Sequence, residues 1–381
     1  MPSLLGRHRQ LAPSAAVRVS PLCLGAMTFG TASPERYGEV SKETAFEIMD
    51  TFYKQGGNFI DTANAYRNGE SEVWVGEWMK ARGNRDEIVL ATKFASAYRG
   101  HEKDKIQTNF VGTGTKSMKL SLDASLKKLQ TSYIDLFYVH WWDFTTNIPE
   151  LMHSLNDLVV AGKVLYLGIS DTPAWVVAKA NQYARDHGLR PFVVYQGLWN
   201  ASVRDFERDI IPMCRDEGMG LCPWGVLNQG RFQTEAAFKE REEKNEGRGN
   251  FGPPTEHDKR ISKVLEDISS SKGCTLQAVA LAYCLQKTPY VFPLVGQRKV
   301  EHLQGSIDAL SVVLTEKEIS AIEEAYPFAL GFPHDFLNGA QIQGKKSVMT
   351  THPGQIWLTN AGGAVIDFVE DAKPIQPKTD G

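Results

Sequence analysis

Residues 57–79 read GNFIDTANAYRNGESEVWVGEWM, and this stretch predicts a strand, a loop and most of a helix. The apolar run NFID from Asn58 predicts a short buried strand, and the pattern over residues 71–82 predicts a helix. Asp61 ends the strand, and Tyr66 follows five residues later in DTANAY. Because similar units recur along the chain, this stretch indicates how the whole sequence folds.

Eight short runs rich in aliphatic and β-branched residues can be counted. The interior runs are too continuously apolar to have a solvated face, which favours strands buried on both sides of a parallel sheet. The eight runs are VSPLCLG from Val19, NFID from Asn58, EIVLATK from Glu87, IDLFYVH from Ile134, VLYLGIS from Val164, FVVYQ from Phe192, MGLCPW from Met219 and YVFPLVG from Tyr290.

Helical patterns alternate with these runs. Alternation of this kind requires parallel pairing with right-handed crossovers, and eight repeats close readily into a barrel. We therefore expect an α/β fold, a (β/α)8 TIM barrel, with an open doubly wound sheet as the alternative. The predicted helices cover residues 42–55, 71–82, 115–129, 149–161, 173–186, 204–217, 276–286 and 300–310.

Two stretches do not follow the repeat. Residues 235–260, after the seventh strand, combine dense charge with Gly-Pro-Pro and predict a mobile extended loop. We expect residues 1–330 to form the barrel and residues 331–381 to form a C-terminal extension. The extension keeps apolar side chains that would allow part of it to pack over the barrel mouth, namely Phe332, Phe336, Trp357 and Phe368.

The composition is that of an ordinary globular enzyme. Of 381 residues 42% are hydrophobic and 23% are charged, and the formal net charge is -3, so nucleic acid is not an expected partner. There is neither a membrane-length apolar run nor a secretory signal, so a cytoplasmic location is expected, with no membrane association. The five cysteines form no CxxC pair and predict reduced structural thiols.

Several common active-site motifs are missing. The chain has no GxGxxG after a strand, no HExxH and no GxSxG, which argues against a Rossmann dinucleotide site, a zinc protease and a serine hydrolase. The nine histidines show no ligand spacing with acids or cysteines, so no metal is expected.

Four polar residues stand at or just past the ends of the second, third and fourth strands: Asp61, Tyr66, Lys93 and His140. Active sites of β/α barrels lie at the carboxyl ends of the strands. The Lys93 ammonium would lower the pKa of Tyr66 from about 10, Asp61 would hold the lysine, and a neutral His140 would orient a substrate oxygen. Taken singly, each residue could be structural: an ion pair, a loop aromatic or a buried histidine.

These residues also carry a family resemblance. The run over residues 57–79 resembles the signature of the aldo-keto reductase superfamily, whose catalytic Asp, Tyr, Lys and His match the four residues above. KLQTSYIDLFYVHWWD, GKVLYLGISDTPAW, CPWGVLNQGRF and VGQRKVEHLQGSIDAL resemble its fungal branch of aryl-alcohol dehydrogenases and norsolorinic acid reductases. The similarity covers roughly residues 4–333.

The resemblance implies an activity. It is hydride transfer between NADPH/NADP+ and an aromatic or polyketide-type aldehyde, ketone or alcohol in fungal secondary metabolism, with Tyr66 as the proton donor. His140 and Trp141 would contact the small-molecule substrate, and Trp142 and Phe29 are expected near the mouth. The alternatives are a non-catalytic NADPH-binding regulatory subunit, against which the complete tetrad argues, and a metal-dependent barrel hydrolase or isomerase. The oligomeric state does not follow from the sequence.

The resemblance also implies cofactor contacts. Asp61, Ser170, Asp171 and Gln196 would lie at the nicotinamide, and Trp224 would stack on its ring, although the family often has Asn or Arg at the position of Asp171. The pyrophosphate segment would be Gly225, Val226, Leu227, Asn228, Gln229, Gly230 and Arg231. The adenosine end, with its 2'-phosphate, would meet Gly296, Arg298, Lys299, His302 and Ser306, where Gly305 and Ser306 replace a usual Glu-Asn pair.

Overall fold

The computed structural model describes residues 3–244, 254–363 and 365–377. Its strands, numbered in chain order, are β1 (Arg9–Ala12), β2 (Ala15–Val19), β3 (Cys23–Gly25), β4 (Phe59–Asp61), β5 (Val89–Phe94), β6 (Ile134–Val139), β7 (Val164–Ser170), β8 (Phe192–Leu198), β9 (Gly220–Trp224) and β10 (Leu294–Gly296).

Eight of these strands form one sheet in the order β10-β3-β4-β5-β6-β7-β8-β9. The pairs from β10–β3 to β7–β8 are parallel. The amide of Phe292 donates to the carbonyl oxygen of Leu221 at 2.8 Å, which brings the segment before β10 against β9 and nearly closes the sheet. The (β/α)8 barrel and all eight predicted strands are confirmed.

Helices follow the barrel strands. They are α1 (Pro34–Tyr37), α2 (Lys42–Lys54), α3 (Glu70–Arg82), α4 (Thr115–Leu129), α5 (Ile148–Val160), α6 (Ala174–Asp186), α7 (Ile210–Asp216), α8 (Glu235–Lys244), α9 (Glu256–Lys272), α10 (Leu276–Lys287), α11 (Val300–Asp308), α12 (Glu316–Ala325), α13 (His334–Leu337), α14 (Ala340–Gln343) and α15 (Trp357–Asn360). Each predicted helix is present, although α7 is shorter than the predicted 204–217.

The amino-terminal hairpin of β1 and β2 was not predicted. Its side chains Leu11, Ala12, Ala15 and Val19 join the buried core of the barrel. A Cβ at Gly220, which begins β9, would lie 2.4 Å from the Leu11 carbonyl oxygen. The hairpin therefore lies at the amino-terminal ends of the strands, opposite the end that carries the polar quartet.

The loop prediction for residues 235–260 was wrong for the part that the structure describes. Residues 235–244 form α8, and α9 begins at Glu256; residues 245–253 lie outside the described residues. Thr255 begins α9 through a capping box with Asp258, and the buried Ile261, Leu265 and Ile268 recur at helical spacing. The many charged residues in this segment made the helical spacing of its few apolar residues difficult to recognise from the sequence.

The chain forms two compact units. The first comprises residues 1–197, 217–224 and 292–307; the second comprises residues 198–216, 225–291 and 308–381. Within the second unit, Arg215 of α7 pairs with Asp371 at 2.7 Å and Lys346 pairs with Glu323 of α12 at 3.1 Å. These ion pairs fasten the C-terminal extension to two helices, while its position over the mouth stays a prediction.

Two further expectations concern the bulk properties of the chain. The five cysteines are free thiols, four of them buried. Among the described residues, no helix has the length and apolarity needed to cross a membrane.

Candidate active site

Lys93 is the centre of a buried polar cluster at the carboxyl ends of β4 and β5. Its Nζ donates to Asp61 Oδ1, to the Thr62 carbonyl oxygen at 2.8 Å and to the Tyr66 hydroxyl at 3.3 Å. Asp61 pairs with Ala91 across the sheet, and Lys93 is two residues further along β5, so its side chain leaves on the same face as that of Ala91. Strand register therefore explains why lysine and aspartate meet.

His140 completes the quartet from the end of β6. Its backbone amide donates to the Phe94 carbonyl oxygen at 3.0 Å, which fixes its place beside β5. The imidazole centroid lies 5.8 Å from the Tyr66 ring centroid, with the planes at 79°. The structure thus brings together all four residues that the sequence pattern selected.

The ion pair at the base of the site is almost completely enclosed, because Lys93 is 0% and Asp61 2% exposed. Burial alone would lower the pKa of Lys93, but the Asp61 and Tyr66 side chains outweigh it and the pKa is raised. Burial raises the pKa of Asp61, which Lys93 and a 3.0 Å hydrogen bond from Gln196 Nε2 oppose. Lys93 is therefore charged at neutral pH.

The pKa of Tyr66 moves in the opposite direction to the expected one. Burial raises the pKa of its hydroxyl above the ordinary value, and the neighbouring Lys93 ammonium only partly opposes this. The sequence showed the cation but not the loss of hydration, which depends on tertiary packing. Tyr66 is accordingly a protonated phenol at neutral pH, in the form that can donate a proton.

His140 is neutral, as the sequence predicted. Burial and the charge of Lys93 hold its pKa well below the ordinary range. Ser96, which was not predicted, places its hydroxyl oxygen 2.9 Å from His140 Nδ1. If the hydroxyl donates to Nδ1, the imidazole proton lies on Nε2. In the sequence, the only indication that Ser96 belongs to the site is its position three residues after Lys93, just past the end of β5.

Besides Asp61, four residues were predicted at the nicotinamide, and all of them lie beside this cluster in the first unit: Ser170, Asp171, Gln196 and Trp224. The Asp171 carboxylate accepts from the Ser170 hydroxyl at 3.1 Å and from Trp224 Nε1 at 3.3 Å, and the Asp171 amide donates to the Gln196 carbonyl oxygen at 3.1 Å. Burial raises the pKa of Asp171. Since Gln196 also bonds to Asp61, this group is continuous with the quartet.

The predicted pyrophosphate segment, residues 225–231, belongs to the second unit. Asn228 and Gln229 adopt left-handed backbone conformations, and the amide of Asn228 donates to the Gly225 carbonyl oxygen at 2.7 Å. The Arg231 guanidinium donates to Asn228 Oδ1 at 3.0 Å and lies 3.9 Å from an oxygen of Asp258. These contacts within the second unit hold the loop in place. They also occupy the backbone amide of Asn228 and part of the Arg231 guanidinium, both of which are hydrogen-bond donors.

The adenosine-end residues lie in the first unit, and two of them line an open cleft of about 550 Å³. Lys299 and His302 line this cleft, with Thr44 of α2 opposite. Arg298 packs against Gly38, since a Cβ there would lie 2.2 Å from its Nη1. Ser306 is different: it is buried, and its hydroxyl donates to the His302 carbonyl oxygen at 3.1 Å. Gly296 is exposed at the end of β10.

Of the apolar residues expected near the mouth, Trp141 is 36% exposed and its ring lies 4.9 Å from the His140 ring. Phe29 is completely buried, so its ring is not exposed to solvent, and its place near the mouth stays a prediction. Its amide donates to the Ala26 carbonyl oxygen in a tight turn after β3. Arg67, next to Tyr66 in the chain, holds this segment through the carbonyl oxygens of Thr28 and Ala32 at 3.1 and 2.6 Å.

Comparisons with known proteins agree with this geometry. The model of the aldo/keto reductase family matches residues 21–327. Norsolorinic acid reductase B of Aspergillus parasiticus is 64% identical over 376 residues, which cover 98% of each chain. Norsolorinic acid reductase B of Dothistroma septosporum is 66% identical over 97% of this chain and 94% of its own. The aryl-alcohol dehydrogenase [NADP(+)] of Phanerodontia chrysosporium is 50% identical over 87% of this chain and 89% of its own.

Proposed function

Since the chain belongs to the aldo/keto reductase family and is an oxidoreductase, we propose that it reduces an aromatic or polyketide-type aldehyde or ketone with NADPH, or oxidises the corresponding alcohol with NADP+. The observation that carries this proposal is the Lys93 ammonium held between the Asp61 carboxylate and the Tyr66 hydroxyl, with the His140 ring beside it. Such a cluster can deliver a proton to an oxygen that is gaining charge.

Each residue has a separate role in this proposal. Tyr66, protonated at neutral pH, donates its proton to the carbonyl oxygen as that oxygen becomes an alkoxide. Lys93 stabilises the tyrosinate left behind, and Asp61 keeps Lys93 charged and in place. His140 donates from Nε2 to the same oxygen, and fixed donors of this kind stabilise developing charge without reorganising. Bound NADPH would supply the hydride.

The residues at the open cleft fit the phosphate-bearing end of NADP(H). Lys299 lines the cleft at the amino-terminal end of α11, together with the carboxylates of Glu47 and Glu301. Arg298 directly precedes Lys299 in the chain. Cationic side chains and a helix amino terminus are the groups that bind phosphate. Ser170, Gln196 and Trp224 would hold the nicotinamide beside Tyr66, and residues 225–231 the pyrophosphate. Gly296 and His302 would border the adenosine, while the buried Ser306 would support the helix that carries His302.

The relatives support the choice of substrate class. Those named above are a reductase of norsolorinic acid and an aryl-alcohol dehydrogenase, so an aromatic substrate in fungal secondary metabolism is the natural inference. A cytoplasmic location is part of the same proposal. The exposed Trp141 ring beside His140 is consistent with an aromatic ligand at the mouth.

The direct test is NADPH consumption with a panel of aryl and aliphatic carbonyls. Tyr66→Phe should lower kcat by about 100- to 10,000-fold, the usual range for a lost general acid, while NADPH binding measured by fluorescence persists. Tyr53→Phe is a matched control, because the Tyr53 hydroxyl donates to the exposed Glu87 side chain at 2.8 Å and takes no part in the Lys93 cluster. Full activity of Tyr66→Phe would overturn the assignment. NADPH binding without turnover of any carbonyl would favour a regulatory subunit.

A further inference from the structure

Phe144 stands on the loop after β6 with an unusual combination of features. It is 68% exposed, although it is a large aromatic residue, and its backbone φ is 61°. A left-handed conformation is uncommon for a bulky side chain and persists only where the surroundings impose it. Exposed aromatic rings occur elsewhere on this chain, so the feature that sets Phe144 apart is an exposed ring on a backbone that its surroundings hold in place.

Asp143 imposes this conformation from the preceding position. Its carboxylate accepts from the amide and hydroxyl of Thr113 at 2.8 and 2.7 Å, and from the amide and hydroxyl of Thr145 at 2.8 and 2.9 Å. Thr113 Oγ1 also lies 2.9 Å from Thr146 Oγ1, and because its proton goes to Asp143 it accepts from the Thr146 hydroxyl. The chain is therefore pinned on both sides of Phe144, to the loop that follows β5 as well as to itself.

The position of the ring relative to the reacting groups follows from the chain. Only three residues lie between His140 and Phe144, so the Cα atoms of the two residues are at most about 14 Å apart. The Trp141 ring contacts His140, and the Trp142 ring meets Phe144 edge-on at 6.3 Å. The loop after β6 therefore carries two aromatic pairs, His140 with Trp141 and Trp142 with Phe144, at the carboxyl end of the barrel strands.

We propose that Phe144 is a specificity-determining residue whose fixed, exposed ring stacks, together with Trp141, on the distal rings of a planar multi-ring aromatic carbonyl substrate. This inference rests on the proposed carbonyl reduction and specifies its substrate class. The Phe144 and Trp141 rings form a rigid surface, called the platform below. The free energy of stacking on it is more favourable for a flat, extended ligand than for a small one, because the stacked area is larger and the rings lose little conformational entropy. Asp143 acts as its positioning residue.

The test compares benzaldehyde, naphthaldehyde and anthraldehyde with butanal in the wild type and in Phe144→Ala. The ratio of kcat/KM for anthraldehyde to that for butanal should fall about three- to tenfold in Phe144→Ala, the range expected for one aromatic pair. Phe144→Tyr should retain the ratio. Tyr290→Ala is the matched control. Tyr290 is also aromatic, is 36% exposed and has a left-handed backbone at φ 58°. It precedes the amino-terminal end of β10, whereas Phe144 follows the carboxyl end of β6.

The outcomes separate this inference from the proposed function. If the wild type reduces these carbonyls and Phe144→Ala leaves the ratio unchanged, or lowers it no more than Tyr290→Ala does, the platform is refuted and the reductase assignment stands. If the wild type reduces no carbonyl, the proposed function fails. In that case the affinity of the NADP+-loaded protein for anthraldehyde, measured by fluorescence quenching, still tests the platform: weaker binding in Phe144→Ala supports it, and equal binding refutes it.

Discussion

The hydroxyl oxygen of Ser96 lies 2.9 Å from Nδ1 of His140. A neutral imidazole has one donor and one acceptor nitrogen, so the bond that Nδ1 makes determines what Nε2 can do. When the Ser96 hydroxyl donates to Nδ1, the imidazole proton lies on Nε2. Nε2 can then donate a hydrogen bond to the carbonyl oxygen of the proposed substrate.

Ser96→Ala should therefore lower kcat/KM for carbonyl reduction by about three- to tenfold, the effect expected for one neutral hydrogen bond, with NADPH affinity unchanged. Ser96→Thr should restore most of the activity by restoring the hydroxyl. Ser125→Ala is the control, because the Ser125 hydroxyl is buried and finds no hydrogen-bond partner within the described chain. Equal kinetics for Ser96→Ala and the wild type would show that the tautomer does not depend on Ser96.

The pH dependence should differ between the two reaction directions. In the proposed reaction Tyr66 donates as a phenol, and burial raises the pKa of its hydroxyl above the ordinary value of about 10. Reduction should therefore show no loss from this group up to about pH 9. His140 stays neutral because its pKa lies well below the ordinary range. The proposed alcohol oxidation requires the tyrosinate form of Tyr66. The rate of oxidation should therefore increase with pH over the range, up to about pH 9, in which the rate of reduction stays constant.

Removing Lys93 tests the cause of this behaviour. Without the ammonium the pKa of Tyr66 rises further, so the increase in alcohol oxidation should move to higher pH in Lys93→Met. Because Asp61 would then be buried without its partner, the Asp61→Asn/Lys93→Met double variant should be measured beside it, with circular dichroism to verify folding. An oxidation profile that does not move in either folded variant would contradict the role given to Lys93.

Preference for NADPH over NADH should depend on the two cations after β10. Arg298→Ala and Lys299→Ala should each weaken NADPH binding by about ten- to 100-fold, as expected for a charge-assisted hydrogen bond, and change NADH binding little. Fluorescence titration with both nucleotides measures this directly. Lys317→Ala serves as a control because Lys317 is exposed on α12. Equal losses for both nucleotides would indicate a structural role instead of a phosphate contact.

Asp258 should be a stabilising residue of the second unit. Its carboxylate accepts from Ser202 Oγ at 2.9 Å, from Asn228 Nδ2 at 2.5 Å and from Thr255 Oγ1 at 2.8 Å. Asp258→Ala leaves these donors without their partner and should lower the free energy of unfolding by about 2–4 kcal/mol in urea titration. Asp267→Asn, on the exposed face of α9, should leave it unchanged.

The sign of the pH effect on Asp258 follows from its lowered pKa. Burial raises the pKa, but the hydrogen bonds from Thr255, Ser202 and Asn228 more than offset it. The carboxylate therefore contributes its stability above its unfolded pKa of about 4, and loses it as the pH falls through the lower folded value. The gap in stability between the wild type and Asp258→Ala should narrow on acidification; a constant gap would exclude this explanation.

The strands were predictable because the signal for each is local. Runs such as IDLFYVH place apolar side chains on both faces of a strand. This pattern can be recognised in the sequence even when the neighbouring strands are not known. The N-terminal hairpin and α9 escaped prediction for the opposite reason. Ala15 and Val19 alternate with exposed residues in a short run, and the buried Ile261 and Leu265 stand among charges, so their partners had to be seen first.

The sequence by itself determined the barrel, the family and the positions of Asp61, Tyr66, Lys93 and His140 at strand ends. These depend on residue type and spacing, which the chain displays directly. Only the tertiary structure decided the direction of the Tyr66 pKa shift, the burial of Phe29, the partnership of Ser96 with His140 and the clamp of Asp143 beside Phe144. Each of these depends on hydration lost or on a bond between loops, quantities that arise when distant segments pack together.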